Sequence, residues 1–397
     1  MIARHSLNRK PWLMGLALLL ILSMSSCASS SNQNNQPIFL PTPIPPTYSS
    51  PVPGLRPFID TWDNIHTFQT FDYNISDPLS LASHYDFVWG AQLNHVAAFR
   101  SGNPNISISF YIPFDRDWGE FPDSGTRHDL NYWQTNHPDW VLYQCDRVTP
   151  AYTTGYPNVP LDFTNPAVVS WQVRTYAQPA SVNGYDALAV DNIVMSNSFG
   201  ACGVYKNGQW VQLFSGQQDD PRWRAGVINW LKQMQQALHH LQHPLALVAN
   251  FYVGNLSFTD PQVQQLASYS DGLLDEDGFT RSGNGYLTGS NWVQRVQFME
   301  SVQQQNKPYY IIDLVPSVDQ DEVQWSLASY LMGKEHASAL FISMPGGYGT
   351  DHLYEEYAAQ IGSPIGPMYQ EQNVYFRNYN RGLSIVNPSA TDTYAVT

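Results

Sequence analysis

Short apolar segments recur along the chain from residue 66 to residue 343. Most of them lack the alternation of polar and apolar side chains that marks a strand with one face in solvent. A continuous apolar run is typical of a strand in a parallel sheet, because both faces of such a strand are covered. The pattern predicts eight buried parallel strands, at His66–Phe71, Phe87–Ala91, Ile106–Ile112, Ala187–Val190, Leu245–Ala249, Gly272–Leu274, Tyr309–Ile312 and Ala339–Ser343.

Several of the segments between these strands have the apolar periodicity of an α-helix. In Pro221–Leu241 the apolar residues recur every three or four positions, which predicts a helix with one buried face. We predict further helices over Pro261–Ser268, Trp292–Gln305 and Asp321–Gly333, and we expect Asp321 to cap the last of them. Three histidines, His239, His240 and His243, end the first helix; they lack the Glu of a zinc-protease motif, so we interpret them as structural.

The alternation of strands and helices predicts an α/β fold, a (β/α)8 TIM barrel spanning residues 56–365. The rival is a doubly wound open sheet, which usually has a Gly-rich phosphate turn after its first strand, and this sequence has none there. The GGYG sequence at 346–349 lacks the Lys-Ser/Thr of a phosphate-binding loop. The long connection from Pro113 to Asp186 predicts a short helix and functional loops. Residues 366–397 form a predicted tail of two or three short antiparallel strands.

The first residues have the features of an export signal. Arg4, Arg9 and Lys10 precede an apolar run, Trp12–Leu22, that is too short to span a bilayer. Small residues then precede Cys27, which resembles the lipobox of bacterial lipoproteins, although Met24 stands where Leu is commoner. The resemblance implies that residues 1–26 are a cleaved signal peptide and that Cys27 carries the lipid. The alternatives are an uncleaved anchor and an ordinary signal peptide.

Residues 27–55 are rich in Ser, Asn, Gln and Pro, a composition that cannot bury a core and favours extended chain. We predict a disordered tether, with a loop packed on the barrel as the alternative. The expected location is therefore the cell-surface or periplasmic face of a bacterial membrane, with the lipid as the membrane contact.

Composition narrows the function further. The chain has 19 basic and 33 acidic residues, a formal charge of −14, so a nucleic-acid partner is not expected. No CxxC pair suggests a zinc site, and we expect no metal, no cofactor and a monomer. Aromatic residues are abundant, with 12 Trp, 24 Tyr and 18 Phe.

Polar and aromatic residues follow the predicted strands, and the C-terminal strand ends of a barrel carry its chemistry. This mixture is typical of carbohydrate binding, because aromatic faces stack on sugars while carboxylates and carboxamides bind hydroxyls. Each of these residues also has a structural alternative, in the core, at the rim or in a salt bridge. The candidate substrate-binding residues are Asp72, Trp89, Tyr111, Asp115, Arg116, Trp118, Asn192, Asn250, Tyr252, Asp277 and Asp313.

Two further strand-end carboxyl groups have the placement that glycoside hydrolysis requires, facing each other across the barrel mouth. Asp191 ends the fourth predicted strand and Glu276 follows the sixth. We predict that Asp191 acts as nucleophile or base and Glu276 as general acid. Asp275 and Asp277 compete with Glu276, because a shift of one residue in strand phase exchanges the inward side chain.

Five sequence segments carry a family resemblance: WVLY at 140–143, LDFTNPAV at 161–168, ALAVDNI at 187–193, DGLLDEDGF at 271–279 and RNYNRGLSIVNPS at 377–389. Together they resemble the GHL group of TIM-barrel glycoside hydrolases, distant relatives of the α-galactosidase and endo-polygalactosaminidase clans. The resemblance implies catalytic carboxylates after strands 4 and 6, hence Asp191 and Glu276.

The sequence thus predicts an exported, lipid-anchored glycoside hydrolase acting on an oligo- or polysaccharide, and the acidic mouth favours a neutral or basic glycan. The first alternative is a non-catalytic carbohydrate-binding lipoprotein. The second is a metal-dependent hydrolase on the same barrel, which the scarcity of His at strand ends disfavours. We also predict a disulfide between Cys145 and Cys202, since both lie in connections on one barrel face.

Overall fold

Eight parallel strands form one sheet that closes on itself. The computed structural model describes residues 52–58 and 65–394. The sheet has the order β1-β2-β3-β5-β8-β9-β10-β11, and a parallel bridge between Thr67 and Leu340 joins its two edges. The predicted (β/α)8 barrel is confirmed. In chain order the strands are β1 (Phe68–Thr70), β2 (Phe87–Trp89), β3 (Ser107–Pro113), β4 (Tyr143–Gln144), β5 (Ala187–Val194), β6 (Ala201–Lys206), β7 (Gln209–Gln212), β8 (Ala246–Tyr252), β9 (Gly272–Asp275), β10 (Tyr309–Leu314), β11 (Ser338–Ser343), β12 (Tyr369–Glu371), β13 (Val374–Tyr379) and β14 (Gly382–Val386).

Helices cover the outside of the barrel. All four helices predicted from periodicity are present, with ends that differ from the prediction by at most three residues. Asp319, and not Asp321, caps the last of them, with its side chain accepting a hydrogen bond from the Glu322 amide at 3.2 Å. The helices are α1 (Pro78–Leu81), α2 (Leu93–Gly102), α3 (Leu130–Asn136), α4 (Pro166–Gln172), α5 (Gln178–Val182), α6 (Pro221–His239), α7 (Pro261–Ser268), α8 (Gly289–Gln303) and α9 (Gln320–Gly333).

Aromatic and small side chains fill the barrel interior in a complementary way. Large rings enter from β1, β2, β10 and β11, and those of Phe87 and Tyr310 stack at 4.3 Å between centroids. Alanines on β5 and β8, such as Ala189 and Ala246, face the same cluster and leave room for them. Because the interior is packed with side chains, a substrate can approach the barrel only at its ends.

A second, three-stranded sheet (β4-β6-β7) is built from the long connections after the third and fourth barrel strands. It packs over a cluster that includes Trp133, Trp140 and Leu161. Cys145 and Cys202 form a disulfide that ties the two connections together. Since both connections leave the C-terminal ends of barrel strands, this sheet lies on the same side of the barrel as the predicted site.

The C-terminal strands β12, β13 and β14 form an antiparallel sheet that packs on α9. Arg377 is buried there, and its guanidinium donates to the carbonyls of Leu331, Met332 and Lys334 at 3.1, 2.9 and 2.7 Å. These carbonyls belong to the last turn of a helix, where no intrahelical donor reaches them. The tail therefore completes a barrel helix.

We expect Arg377→Ala to lower the free energy of unfolding by about 3 kcal/mol, because it removes the guanidinium that donates to three buried carbonyls. Arg381→Ala, an exposed arginine of the same hairpin, is the matched control and should cost less than about 1 kcal/mol. Urea unfolding of both variants measures the difference. Equal stabilities for the two variants would contradict this role of Arg377.

The predicted signal peptide, Cys27 and most of the tether lie outside the described residues. Within the described part of the chain, the structure has no helix that is long and apolar enough to cross a membrane.

Candidate active site

Asp191 lies at an irregularity in strand β5 that determines the orientation of its side chain. The sequence predicts that this strand ends at Val190, but β5 continues to Val194. Its register with β8 shifts between Val190 and Ile193. Asn192 has a φ of 63°, a left-handed conformation that Asn tolerates better than most residues, and its amide donates to Asp191 Oδ1 at 2.7 Å. The structure thus gives Asn192 a backbone role beside the site.

The side chains of Asp275, Glu276 and Asp277 point in different directions and have different partners. Asp275 is buried and forms an ion pair with Arg295, while it also accepts a hydrogen bond from the Tyr309 hydroxyl at 2.7 Å. Glu276 points to the barrel mouth. Asp277 accepts from Ser282 Oγ at 3.0 Å in the following loop. The structure therefore brings Glu276, and neither of its neighbours, to Asp191.

Asn250 joins the two candidate catalytic carboxylates. Its side-chain nitrogen donates to Asp191 Oδ1 at 2.9 Å and to Glu276 Oε2 at 2.7 Å. Two hydrogen bonds that share one nitrogen limit the separation of these oxygens to 5.6 Å at most. Asn250, on the fifth barrel strand, thus holds an oxygen of Asp191 and an oxygen of Glu276 close to each other.

The environment of Glu276 favours its protonated form. Burial raises the pKa of the Glu276 carboxyl, and the nearby charge of Asp191 raises it further, while hydrogen bonds from Asn250 and Tyr348 lower it in part. Tyr111 donates its hydroxyl to Asp191 Oδ2 at 2.6 Å. Burial and the Asp191 charge hold the pKa of Tyr111 well above its ordinary value, so Tyr111 stays a donor at any working pH. One carboxyl is therefore suited to donate a proton, and the other is held as an acceptor.

Tyr348 is a site residue that the sequence pattern did not lead us to predict. It lies in the GGYG segment after β11, and its hydroxyl donates to Glu276 Oε1 at 2.8 Å. The sequence does contain an indication of this role, because a tyrosine flanked by glycines soon after the eighth strand can reach across the barrel mouth.

We expect Tyr348→Phe to raise the pKa of Glu276, because it removes one of the two hydrogen bonds that lower this pKa. The alkaline limb of the profile of kcat/KM against pH should move to higher pH, with a loss of about tenfold at the optimum. Initial rates between about pH 4 and 9 measure both effects. A lower rate with an unmoved limb would show that the hydroxyl does not act on Glu276.

Aromatic rings surround the carboxylates. Phe71 has a φ of 55° directly after β1, and its ring lies 5.3 Å from that of Tyr111 and 6.3 Å from that of Tyr348. Trp118 packs on Tyr111 at 5.0 Å, while Trp89 is buried below it at 6.4 Å. The partly exposed rings of Phe71, Tyr111, Trp118 and Tyr348 line one side of the mouth, while Trp89 belongs to the packed barrel interior.

The remaining predicted binding residues differ in how far their side chains are exposed to solvent. Tyr252 is exposed at the end of β8. Asp115 and Arg116 are buried as an ion pair at 2.8 Å, and Thr153 contacts both side chains. This pair lies close enough to the site that Asp191 raises the pKa of Asp115, after the larger effect of burial. The charge of Arg116 in turn lowers the pKa of Tyr111, so the pair is a buried, charged neighbour of the site.

Asp72 and Asp313 are enclosed away from the open mouth. Asp72 accepts from the Gln92 amide at 3.0 Å and pairs with His95 at 2.9 Å, at the start of α2. Asp313 accepts from the Phe279 amide at 2.6 Å, and burial raises its pKa to about 6. Neither side chain is exposed, so the structure does not bring these two predicted residues to the carboxylate pair.

No group of three or more His, Cys, Asp or Glu side chains in residues 52–58 and 65–394 is arranged to hold a metal ion. His239 pairs with Asp271 at 2.8 Å, in line with a structural interpretation of that histidine.

A closed (β/α)8 barrel with two carboxyl groups joined at its C-terminal mouth has the architecture of a glycoside hydrolase. The profile of the hypothetical glycosyl hydrolase family 15 (GHL15) matches residues 100–383, more than half of the chain. The protein belongs to this family, which confirms the resemblance to the GHL group and the class of enzyme predicted from the sequence.

Solved structures with a similar fold include several carbohydrate-active enzymes. An alpha-amylase from Malbranchea cinnamomea is 13% identical over 81% of this chain and 84% of that one, with a TM-score of 0.44. The noncanonic maltogenic alpha-amylase AmyB from Thermotoga neapolitana is 12% identical over 83% and 86%, with a TM-score of 0.45. The Flavobacterium johnsoniae GH31 dextranase, solved with glucose, is 12% identical over 72% of this chain and 37% of that one, at 0.43. At these scores the likenesses carry no argument about substrate. The comparison with curated proteins found no match.

Proposed function

We propose that this protein hydrolyses O-glycosidic bonds with net retention of anomeric configuration, with Asp191 as nucleophile and Glu276 as general acid and base. The observation that carries the proposal is the bridge by Asn250, which keeps the two carboxylate oxygens within 5.6 Å. Retaining enzymes space their carboxyl groups by about 5–5.5 Å, whereas inverting enzymes need about 6.5–9.5 Å to admit a water. One oxygen of each carboxyl group is thus held closer than the inverting spacing, which favours retention.

In the first step, Glu276 gives its proton to the glycosidic oxygen as the bond from that oxygen to C1 breaks. An oxygen of Asp191 forms a bond to C1, and the leaving alcohol departs. In the second step, the Glu276 carboxylate takes a proton from water while the water oxygen bonds to C1 and the Asp191 ester breaks. Burial and the Asp191 charge supply the raised pKa that the first step requires of Glu276.

A panel of oligosaccharides tests the proposal, with glucose, galactose, mannose and galactosamine units in both α and β linkage. Proton NMR during the first minutes of hydrolysis shows the anomer that is released before mutarotation. We expect the product to keep the configuration of the cleaved bond. Release of the opposite anomer would refute the nucleophilic role of Asp191, and binding without cleavage would favour a carbohydrate-binding lipoprotein.

We also propose that the protein is exported and held at a membrane through lipid on Cys27. The support is the sequence alone, a basic and apolar leader followed by small residues before Cys27. Cells fed a radiolabelled fatty acid should label the wild-type chain but not Cys27→Ser, and detergent should be needed to release only the wild type. Equal labelling of both would refute the anchor.

A further inference from the structure

Tyr73 presents an open aromatic face at the barrel mouth. It follows β1, and its side chain is 57% exposed, which places it among the most exposed large hydrophobic residues of the described chain. One face of the ring rests on Gly349, where a β-carbon would lie 2.3 Å from Cε2 of the tyrosine. The backbone there has a φ of 78°, which also favours glycine. A flat ring that is supported on one side and open on the other can stack against a sugar.

The ring and the acid belong to one connected unit. The Gly349 amide donates to the Thr70 carbonyl at 2.7 Å, and the Asn74 amide donates to the Gly349 carbonyl at 3.1 Å. These bonds attach the segment around Tyr73 to the loop that carries Tyr348. Tyr348 in turn donates to Glu276. The phenol of Tyr73 lies near enough to contribute to the raised pKa of Tyr348. The position of Tyr73 is therefore fixed relative to the candidate acid.

The proposed reaction determines which part of the substrate lies beside Glu276. The acid must reach the glycosidic oxygen, so the departing group lies next to Glu276, while the nucleophile acts from the opposite face of the sugar that is cleaved. In the closed sheet β1 stands three strands from the strand of Glu276 and three from that of Asp191, so strand position alone does not place Tyr73. Its packing on Gly349, beside the Tyr348 that bonds Glu276, puts the ring next to the acid. The contacts that join Tyr73 to Asp191 are longer and run through Phe71 and Tyr111.

We propose that Tyr73 is the stacking platform for the sugar that leaves, which makes it a specificity-determining residue for glycosides whose leaving group is itself a sugar. This inference rests on the proposed function. It assigns the substrate class as oligosaccharides or polysaccharides and not glycosides of small alcohols. Because the glycosyl-enzyme formed by Asp191 can react with an alcohol in place of water, a sugar on the same platform would also act as acceptor.

The test compares two substrates with the same glycone, the oligosaccharide that the panel identifies and the corresponding glycosyl fluoride. Fluoride is too small to reach Tyr73, so only the oligosaccharide uses the platform. We expect Tyr73→Ala to lower kcat/KM for the oligosaccharide by about tenfold and to leave the fluoride within about twofold. Tyr73→Trp should restore most of the loss. Tyr369→Ala, an exposed tyrosine of the C-terminal sheet, is the control and should match wild type on both substrates.

An equal loss on both substrates would overturn the platform, because the ring would then act on the glycone or on the fold. Unchanged rates on both would overturn it as well. If the wild-type protein cleaves neither substrate, the proposed function itself is wrong. The ratio of transfer to hydrolysis with added sugar gives a second readout, which should fall in Tyr73→Ala if the platform holds the acceptor.

Discussion

Replacing Asp191 by Asn is expected to lower kcat by about 10⁴-fold or more, because an amide oxygen is a far weaker nucleophile than a carboxylate. The substitution keeps the size and planarity of the side chain. The introduced amide oxygen can still accept from the Tyr111 hydroxyl or the Asn192 backbone amide, so the fold and the binding of the glycan should survive. The loss should therefore fall on kcat, with the dissociation constant of the oligosaccharide changed by less than about tenfold.

Calorimetric binding and initial rates separate these two effects. Asp219→Asn serves as the matched control, since Asp219 is an exposed acid after the β6–β7 hairpin whose partner is Arg224. Asp219→Asn should keep wild-type rates. If Asp191→Asn turned over at a rate comparable to wild type, the nucleophile would be another group and the proposed mechanism would fall.

Replacing Glu276 by Gln is expected to lower kcat/KM by about 10²–10⁴-fold for sugar leaving groups, because Gln cannot donate the proton that the leaving oxygen needs. The loss should be smaller for the glycosyl fluoride, which departs with little help. Glu371→Gln, on exposed strand β12, provides the control and should behave as wild type.

The pH profile gives the same residue a second signature. A general acid works only while it is protonated, and the pKa of Glu276 is raised, so activity should persist above the ordinary carboxyl range and fall as pH rises through that pKa. The alkaline limb should disappear in Glu276→Gln. Azide added to Glu276→Ala should restore turnover and yield a glycosyl azide with the configuration of the substrate. Recovery of the opposite anomer would exchange the roles of Glu276 and Asp191.

Several parts of this structure follow from the sequence because they depend on local patterning. The apolar runs identified all eight barrel strands, since a strand that is buried on both faces has little freedom to carry polar residues. The position of Asp191 and Glu276 near strand ends followed from the same runs. Their catalytic roles stay predictions, which the experiments above address.

Other parts depend on contacts between distant segments, which one-dimensional patterns do not encode. Asn250 is recognisable as a strand-end residue, but its bridge between two carboxylates requires the curvature of the closed sheet. The choice among Asp275, Glu276 and Asp277 depends on where β9 ends, and a shift of one residue decides which side chain turns inward. The enclosure of Asp72 and Asp313 is likewise invisible in the sequence, because it results from neighbouring loops and helices.

The β6–β7 hairpin is a different case, because its turn is encoded locally in the sequence although the strand prediction does not include it. Asn207 and Gly208 join the two strands with φ values of 52° and 74°, and an Asn-Gly pair between apolar segments is the strongest short-range indication of a tight hairpin. Continuous apolar runs identify barrel strands, and these two short, partly exposed strands contain no such run.

The contact of Arg377 with α9 has a consequence for the order in which the molecule can be assembled. The barrel completes its eighth strand at residue 343, yet carbonyls in the last turn of α9 accept hydrogen bonds from Arg377 and Tyr379, 34 and 36 positions further along. During synthesis from the N-terminus, the barrel must therefore wait for the tail before this helix end is satisfied. A shortened chain that stops at residue 365 would keep all eight barrel strands but lose the tail donors at the end of α9, which would favour local unfolding and proteolysis there.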